Sequence, residues 1–383
     1  MITTLWQPCL RPNTRLYNIT PSSTTENQIK TKILAIIGAR PQFIKHSVFE
    51  RAAKNKLDLI TLHTGQHMEV SMNDVFFTEL GMKAPDIQLS VNTTDRSQRL
   101  EAMKNGIIEA ISQSQPDIVL VYGDTDSTLA GALAAASTNT PLAHAEAGLR
   151  SYNSTMPEEY NRYTTDHLSQ YLFCPSQKAV DNLAKEGITA GVHLVGDLMK
   201  DLVLSAAHKD PAIATDFIYV SLHRPYNVDD AGRLTDILEN INALPHKIIF
   251  TLHPRTAKSM EEKGIDPTPY NNITFIPPQS YIDNLSYLKA CTALITDSGG
   301  MQKEAYWLEK KCITLRSETE WPETLEGGGN MLVFNDLENI GRFVDKNEMQ
   351  FDEYLYGDGK AGEKIVHVLQ GGIMCYTNNP ITA

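Results

Sequence analysis

The chain has 383 residues, enough for two domains of ordinary size, and its 42% hydrophobic and 21% charged residues are typical of a soluble globular protein. A formal net charge of −12 argues against broad electrostatic binding of nucleic acid or of an anionic membrane. An anionic ligand would therefore need a local cluster of donors. The five cysteines show no metal-ligand or redox spacing, which predicts free thiols in a reducing cytoplasm.

Residues 1–31 are predicted to form a polar extension ahead of the folded domains. The segment is rich in Thr, Asn, Ser and Pro, and it lacks the apolar stretch of a secretory signal. No apolar run in the chain approaches the roughly 18 residues that a membrane-spanning helix needs. We therefore expect a cytoplasmic protein without a membrane partner.

From residue 32 onward, short apolar runs alternate with longer segments of helical periodicity. Buried strands are predicted at 32–37, 58–64, 117–122, 141–146, 171–175, 217–223, 247–253, 273–278, 293–297, 312–315 and 331–334. In the first half, helices are predicted at 42–54, 71–80, 97–114, 126–138, 158–169 and 176–187. This alternation predicts an α/β protein with parallel sheets covered by helices on both faces. A gap near 197–216 divides the strands, so we expect two doubly wound domains that face a cleft, at 32–200 and 201–359.

The segments that directly follow the predicted strands carry more charged side chains than a turn requires. They read GARPQFIK (38–45), TGQH (64–67), GDTDST (123–128), HAEAGLRS (144–151), HRPYN (223–227), HPR (253–255) and DSGG (297–300). Ligands of doubly wound sheets bind beyond the carboxyl ends of the strands. A cleft lined with mixed charge is therefore predicted between the two halves.

Cations follow strand ends in both halves, and DSGG precedes a predicted helix whose N–H groups and dipole favour an anion. The cations are Arg40, Lys45, His223, Arg224, His253 and Arg255. As a set they suit a diphosphate held between the domains, whereas each one alone is accounted for equally well by an ion pair or by solvation. Glu304, within the helix after DSGG, either complements the dipole or accepts hydrogen bonds from ribose hydroxyls.

Acids are concentrated in the first half, at Asp124, Asp126, Glu146, Glu158 and Glu159. Carboxylates near a sugar act as general acid and base when their pKa values are pushed apart. Helix capping after Pro157 and a metal site built from Asp124, Asp126 and His144 are alternative roles for these acids, although no HExxH, EF-hand or CxxC pattern is present. The missing GxGxxG, GxxxxGK[ST] and GxSxG patterns argue against dinucleotide oxidoreductases, P-loop enzymes and α/β-hydrolases.

Eight of these strings, in this order, resemble the non-hydrolysing UDP-N-acetylglucosamine 2-epimerases: GARPQFIK, HTGQH, VYGDTDSTLAGALAA, HAEAGLRS, MPEEYNR, HRPYN, LHPR and TDSGGMQKEA. The resemblance covers about residues 32 to 365. LRSYNSTMPEEYNR, LFCPS and TEWPE resemble a branch that acts on the 2,3-diacetamido glucuronic acid form of the UDP-sugar. The resemblance implies a glycosyltransferase-B-like fold and a homodimer. It also implies a helix within 360–383 that crosses back to the first domain.

The implied reaction inverts C2 of a UDP-linked 2-acetamido sugar through a glycal, with UDP eliminated and added back, and it needs no metal or redox cofactor. The resemblance implies proton transfer by Asp124, Glu146 and Glu158, with Arg40 and Lys45 near the phosphates and the proton-transfer site. His223 would contact the leaving UDP, Ser298 and Gly300 its phosphates, Glu304 its ribose and Gln279 its uracil side. Other substrate-binding residues expected from the same motifs are Gln66, His67, Arg150, Arg162, Arg224, His253, Arg255 and Gly299.

The resemblance leaves the substituents at C3 and C6 of the sugar open, because some motif positions depart from the pattern of the N-acetylglucosamine enzymes. His223-Arg224 is followed by Pro225-Tyr226, Trp321 replaces an arginine of several members, and Asn284 replaces an aromatic residue. A second, regulatory UDP-sugar site is equally open. Three alternatives remain for the function: a hydrolysing 2-epimerase, a glycosyltransferase, and a nucleotide-sugar sensor without catalysis. The substrate class suggests surface polysaccharide assembly.

Overall fold

The computed structural model describes residues 30–66, 77, 79–91, 93–206, 216–346 and 348–371. Predicted site residue His67 lies outside these ranges, as do nearly all of the N-terminal extension and most of the predicted helix 71–80. Within the described ranges, every helix is too short or too polar to cross a membrane.

The first part of the chain forms a parallel sheet of seven strands in the order β3-β2-β1-β4-β5-β6-β7. The strands are β1 (Lys32–Ile37), β2 (Asp58–His63), β3 (Ile87–Gln88), β4 (Ile118–Tyr122), β5 (Leu142–Ala145), β6 (Tyr171–Cys174) and β7 (Val192–Leu194). The helices are α1 (Arg40–Ala53), α2 (Arg96–Ser114), α3 (Asp126–Ser137), α4 (Pro157–Leu168), α5 (Gln177–Lys185) and α6 (Leu198–Ser205).

The second part forms a parallel sheet of six strands in the order β10-β9-β8-β11-β12-β13. The strands are β8 (Phe217–Ser221), β9 (Lys247–Thr251), β10 (Ile273–Ile276), β11 (Ala293–Thr296), β12 (Lys311–Thr314) and β13 (Asn330–Leu332). The helices are α7 (Pro225–Val228), α8 (Ala231–Asn242), α9 (Pro254–Lys263), α10 (Tyr281–Ala290), α11 (Gly299–Trp307) and α12 (Ile340–Val344), with 3-10 turns at Pro322–Gly328 and Leu337–Asn339.

The predicted fold class, two parallel-sheet α/β domains, is confirmed. Central strands such as β1 and β8 read as unbroken apolar runs because helices cover both faces of each sheet, and Ile33 to Ile37 are fully buried. Strands β3 and β7 were not predicted, since they have only two and three residues at sheet edges and none of these residues is fully buried. Such short runs carry no usable alternation.

A last helix, α13 (Ala361–Leu369), packs against α1 of the first sheet rather than against the second sheet. Its first two N–H groups donate to the Asp201 carboxylate, from Ala361 at 3.0 Å and from Gly362 at 2.8 Å. A Cβ built on Gly362 would lie 3.2 Å from a methyl of Val48 on α1, so the two helices approach closely there. After the second sheet, the chain therefore returns to the first sheet at α13.

Candidate active site

A cavity of about 840 Å³ lies between the carboxyl ends of the two sheets and is lined by residues from both. In each sheet the strand order reverses at one point, between β1 and β4 and between β8 and β11. A crevice opens at such a point, so the residues that follow these four strands face a ligand. Thirteen of the predicted site residues line the cavity: Arg40, Lys45, Asp124, Glu146, Arg150, Arg162, His223, His253, Gln279, Ser298, Gly299, Gly300 and Glu304.

Glu146 forms a buried ion pair with Lys45 of α1, on the wall built by the first sheet. It follows β5 with φ at +74°, a left-handed conformation that is uncommon for a residue other than glycine and that concentrates at functional sites. Burial raises the pKa of Glu146, but the charges of Lys45 and Lys303 outweigh burial and hold this pKa well below its usual range. Glu146 is therefore a carboxylate across the neutral pH range.

Asp124 follows β4 on the same wall, and its pKa shifts in the opposite direction. Burial raises the pKa of Asp124, against the opposing charge of Arg162, and the negative charge of Glu146 adds to the rise. Arg162 Nε lies 3.0 Å from Asp124 Oδ2. Two neighbouring carboxyl groups with pKa values moved apart are the arrangement that acid and base catalysis requires.

Gly123, directly before Asp124, brings the main chain close to the Lys45–Glu146 pair. Its φ is +62°, and a Cβ built there would lie 3.2 Å from Glu146 Oε2 and 3.4 Å from Lys45 Nζ. A side chain at this position would be strained and would press on the ion pair. The positive φ and the close approach to the ion pair together explain why glycine stands at this position of the GDT string.

The opposite wall is built around the N-terminus of α11. Ser298 caps this helix, and its Oγ accepts the Met301 N–H at 3.4 Å. The first N–H groups of a helix lack partners within the helix and favour an anion. A Cβ on Gly300 would meet nothing within 4 Å, so this end of the helix opens into the cavity.

Glu304, in the same helix, is a buried carboxyl group. The Tyr281 hydroxyl donates a hydrogen bond to Glu304 Oε1 at 3.1 Å. Burial raises the pKa of Glu304 to about 7, against the lowering effect of the Tyr281 hydrogen bond. The carboxyl faces the cavity and can accept hydrogen bonds from a ligand.

Asp297, the acid of DSGG, organises the loop of His223 instead of facing the cavity. Its carboxylate accepts hydrogen bonds from the His223 N–H at 3.0 Å, the Arg224 N–H at 3.0 Å and Asn227 Nδ2 at 3.1 Å. The His223 ring lies 5.1 Å from the ring of His253, so two imidazoles stand together beside the helix N-terminus. Burial lowers the pKa of His253, and the neighbouring His223 lowers it further.

Four predicted residues do not line the cavity. Arg255 is ion-paired with Asp229 on the surface, and Gln66 Oε1 accepts the Ser127 N–H at 2.9 Å. Arg224 donates from its backbone to Asp297, and Glu158 lies in the first turn of α4.

Two of the three alternative metal ligands are engaged by other side chains: Asp126 Oδ1 lies 2.6 Å from Arg96 Nη2, and His144 Nδ1 lies 2.7 Å from Asp166 Oδ1. The described residues contain no group of three or more potential metal ligands.

Sequence reasoning missed Lys303, which lies one residue before Glu304 and lines the cavity. Its Nζ lies 2.5 Å from Asp197 Oδ2 and 3.6 Å from Glu146 Oε1, so it joins the two walls. The signal that could have identified Lys303 is the presence of a lysine inside a helix whose other residues are mostly buried. Tyr281, Glu320 and Trp321 also line the cavity and were not predicted to bind substrate.

Comparison with known proteins places these features in a family. The sequence model of the UDP-N-acetylglucosamine 2-epimerase family matches residues 50–370. The UDP-2,3-diacetamido-2,3-dideoxy-D-glucuronate 2-epimerase of Pseudomonas aeruginosa is 42% identical over 354 residues, which cover 88% of this chain and 99% of the relative. The UDP-N-acetylglucosamine 2-epimerase of Methanocaldococcus jannaschii is 38% identical over 363 residues, which cover 89% of this chain and 99% of the relative.

Solved structures agree with these matches. The M. jannaschii enzyme in complex with UDP-GlcNAc and UDP superposes with a TM-score of 0.79 at 37% identity, covering 89% of this chain and 100% of that one. The galactosyltransferase WaaB, 13% identical with a TM-score of 0.51, shares the fold alone. By sequence and by fold, the chain belongs to the UDP-N-acetylglucosamine 2-epimerase family of isomerases.

Proposed function

We propose that the protein inverts C2 of a UDP-linked 2-acetamido sugar, interconverting the gluco and manno forms. The observation that carries this proposal is the cleft itself, in which two carboxyl groups with oppositely shifted pKa values face a helix N-terminus suited to a diphosphate. The names of the matched relatives, which are 2-epimerases of UDP-sugars, support the same reaction.

The proposed reaction proceeds in two balanced steps. A base removes the proton from C2, the electron pair of that bond forms the C1=C2 double bond of a glycal, and UDP leaves C1 with the electron pair of the C1–O bond. A proton is then added to C2 on the opposite face, and UDP adds back to C1. One group must begin as a base and another must begin protonated.

The pKa shifts support a division of these roles between Glu146 and Asp124. Glu146, held as a carboxylate by two lysines, starts as the base. Asp124, with its pKa raised by burial, is the group that more readily holds a proton and supplies it. In the reverse direction the two groups exchange tasks by microscopic reversibility. Glu158 remains a proposal from its sequence motif alone.

The wall around α11 is proposed to hold UDP. The Ser298 hydroxyl and the N–H groups of Gly299 and Gly300 would bind the diphosphate, with Arg40 and His223 beside it. Glu304 would accept hydrogen bonds from the ribose hydroxyls, and Gln279 would contact the uracil. On the first wall, Lys45, Arg150 and Arg162 lie beside the space left for the sugar. UDP then remains held while the glycal turns or is reprotonated.

The first experiment is proton NMR of UDP-N-acetylglucosamine incubated with the protein in heavy water. Deuterium at C2 together with a UDP-N-acetylmannosamine signal is the expected result. If C2 stays protonated, the experiment is repeated with the 2,3-diacetamido uronic acid nucleotide, the substrate named for the P. aeruginosa relative. Free UDP that accumulates in step with turnover would instead indicate a hydrolysing enzyme. No exchange with either sugar would leave a transferase or a sensor.

Two further features are proposed from the family resemblance. A homodimer is expected, and light scattering of the purified protein measures its mass against the 42.6 kDa of one chain. A role in surface polysaccharide assembly follows from the substrate class.

The unit boundaries proposed from the sequence, 32–200 and 201–359, are tested by limited proteolysis, which should cut first between the two sheets.

A further inference from the structure

We infer that Lys303 is a positioning residue for the reaction: carried by the helix that faces UDP, it holds the Glu146 carboxylate of the opposite wall in place and ionised. This inference rests on the proposed function, because it concerns the group assigned there as the base. It adds a link between the two walls that neither the sequence motifs nor the names of the relatives describe.

The contact spans the two sheets. Lys303 lies in α11, directly after β11 of the second sheet, whereas both of its acidic partners follow strands of the first sheet. Lys303 Nζ lies 2.5 Å from Asp197 Oδ2 and 3.6 Å from Glu146 Oε1. Asp197 is itself fixed, because its other carboxylate oxygen accepts the Met199 N–H at 2.8 Å at the start of α6.

The surroundings of Lys303 make its charge an essential part of this contact. The side chain is almost completely buried, and Nζ lies 3.8 Å from the centre of the Trp321 ring, with Trp307 and Tyr356 at 5.5 and 5.7 Å. A buried ammonium is costly unless acids and aromatic faces compensate it. Here both kinds of partner are present beside Glu146.

One helix thereby carries three tasks. Its N-terminus faces the proposed diphosphate site, Glu304 faces the proposed ribose site, and the preceding residue, Lys303, points to the proton-transfer wall. A displacement of α11 relative to the first sheet changes the distance between Lys303 and Glu146. The contact between Lys303 and Glu146 therefore depends on how the two sheets face each other.

Several charged groups besides Lys303 act on Glu146. Lys45 from α1 pairs with it directly and contributes the larger share of its charge stabilisation. His144 of β5 and Asp124 after β4 also act on Glu146, and Arg162 and Asp197 pair in turn with Asp124 and Lys303. Because Lys45 remains in a Lys303 variant, we expect a weakened base environment and not its complete loss.

The test compares the wild type with Lys303→Met, which keeps the length of the side chain and removes the charge. We expect kcat to fall by about tenfold to a hundredfold, with KM for the UDP-sugar changed by less than about threefold. Removing a positive charge beside a carboxylate raises its pKa, so the acid limb of the kcat profile should move to higher pH. Lys303→Arg should restore part of kcat and return the acid limb toward that of the wild type.

Asp197→Asn is the matched control, since it loosens the same cluster but leaves the charge of Lys303 beside Glu146. It should lower the melting temperature without moving the acid limb to higher pH. An acid limb that moves in the same direction in both variants would show a general loss of packing and overturn the inference. If Lys303→Met does not fold, Lys303→Gln supplies the neutral variant.

A measurement without turnover separates this inference from the proposed function. The carboxyl carbon resonance of Glu146, identified by its absence in Glu146→Gln, reports the ionisation of this group in the isotopically labelled protein. In Lys303→Met it should titrate at higher pH than in the wild type, whether or not a sugar is epimerised. Identical titrations would refute the role of Lys303. A shifted titration in a protein that epimerises no UDP-sugar would refute the proposed function instead.

Discussion

The two walls of the cleft are prepared for a ligand in different ways. On the first wall each acid already has a cationic neighbour, Lys45 beside Glu146 and Arg162 beside Asp124. On the second wall the main features are the open N-terminus of α11 and the protonatable carboxyl of Glu304, whose pKa burial raises to about 7. The proposed reaction moves protons at the first wall, whereas at the second wall the ligand brings the charge.

This difference teaches how each kind of site is preorganised. Groups that exchange protons need defined charge states before the substrate arrives, and fixed neighbouring charges set those states at no cost during the reaction. A site for a diphosphate must instead keep its donors available, because the anion completes the charge balance. Substitutions of the proton-transferring groups of the first wall should therefore change kcat, and substitutions at the second-wall positions that face UDP should change affinity.

The largest effect is expected for the carboxyl groups of the first wall. Glu146→Gln and Asp124→Asn should each lower kcat by about 10²- to 10⁴-fold, because each removes a group that transfers a proton. UDP binding, measured by isothermal titration calorimetry, should change little, since UDP is assigned to the other wall. If either variant lost UDP binding together with turnover, that carboxyl would have a structural role and the contrast between the walls would fail.

A smaller effect, on UDP affinity instead of on kcat, is expected for Gly300→Asp. The added Cβ meets no atom within 4 Å, and an acid in the first turn favours the helix, so thermal stability should be kept or slightly raised. The same charge repels a diphosphate, and the Kd for UDP should rise by about tenfold to a hundredfold. Gly300→Ala is the steric control. Equal losses of affinity in both variants would show that space, not charge, governs this position.

A change in pH dependence is expected for Glu304→Gln. In the wild type the carboxyl has a pKa of about 7, raised by burial, and ribose hydroxyls donate best to its ionised form. Binding therefore releases a proton below this pKa, and UDP affinity should rise by up to about tenfold per pH unit toward neutrality. The variant should lack this contribution, while ionisation of the UDP phosphate affects both proteins equally. Parallel affinity curves from pH 6 to 8 would rule out the assignment of Glu304.

The smallest effect is expected for Arg255→Ala. Sequence reasoning placed Arg255 in the substrate site, but the structure pairs it with Asp229 on the surface, outside the cavity. An exposed ion pair contributes little to stability, and Arg255 does not line the cavity. Values of kcat/KM within about twofold of the wild type are expected from initial rates. A large loss would mean that the loop moves to bring Arg255 into the cleft.

The sequence was sufficient to predict thirteen residues of the cavity lining, in part because the geometry of parallel sheets is regular. Once the strands before GDT and HAE are recognised, their carboxyl ends must meet along one edge of the first sheet, and Asp124 and Glu146 lie there. The strand before DSGG places Ser298 at the corresponding edge of the second sheet. The main chain accounts for further positions as well, since Gly123 needs a positive φ beside the ion pair.

Other features could not be predicted from local patterns. The Lys303–Asp197 contact joins residues 106 positions apart and depends on how the two sheets face each other, which no strand or helix period encodes. The ion pair of Arg255 with Asp229 likewise depends on side chains from two separate segments, the start of α9 and the end of α7. Strands β3 and β7 are set by neighbouring strands at the sheet edges rather than by their own apolar residues.

The return of the chain to its first sheet has a consequence for how the molecule is assembled. Lys200 Nζ donates to the backbone carbonyls of Glu353, Leu355 and Gly357. The Asp201 carboxylate accepts the N–H of Ala361, the first residue of α13, which lies 160 residues further along the chain. The second sheet is thus an insertion, tethered to its host at both ends. During synthesis on the ribosome, the face of α1 that α13 covers stays exposed until α13 emerges, so the first sheet is completed only after the second sheet has been translated.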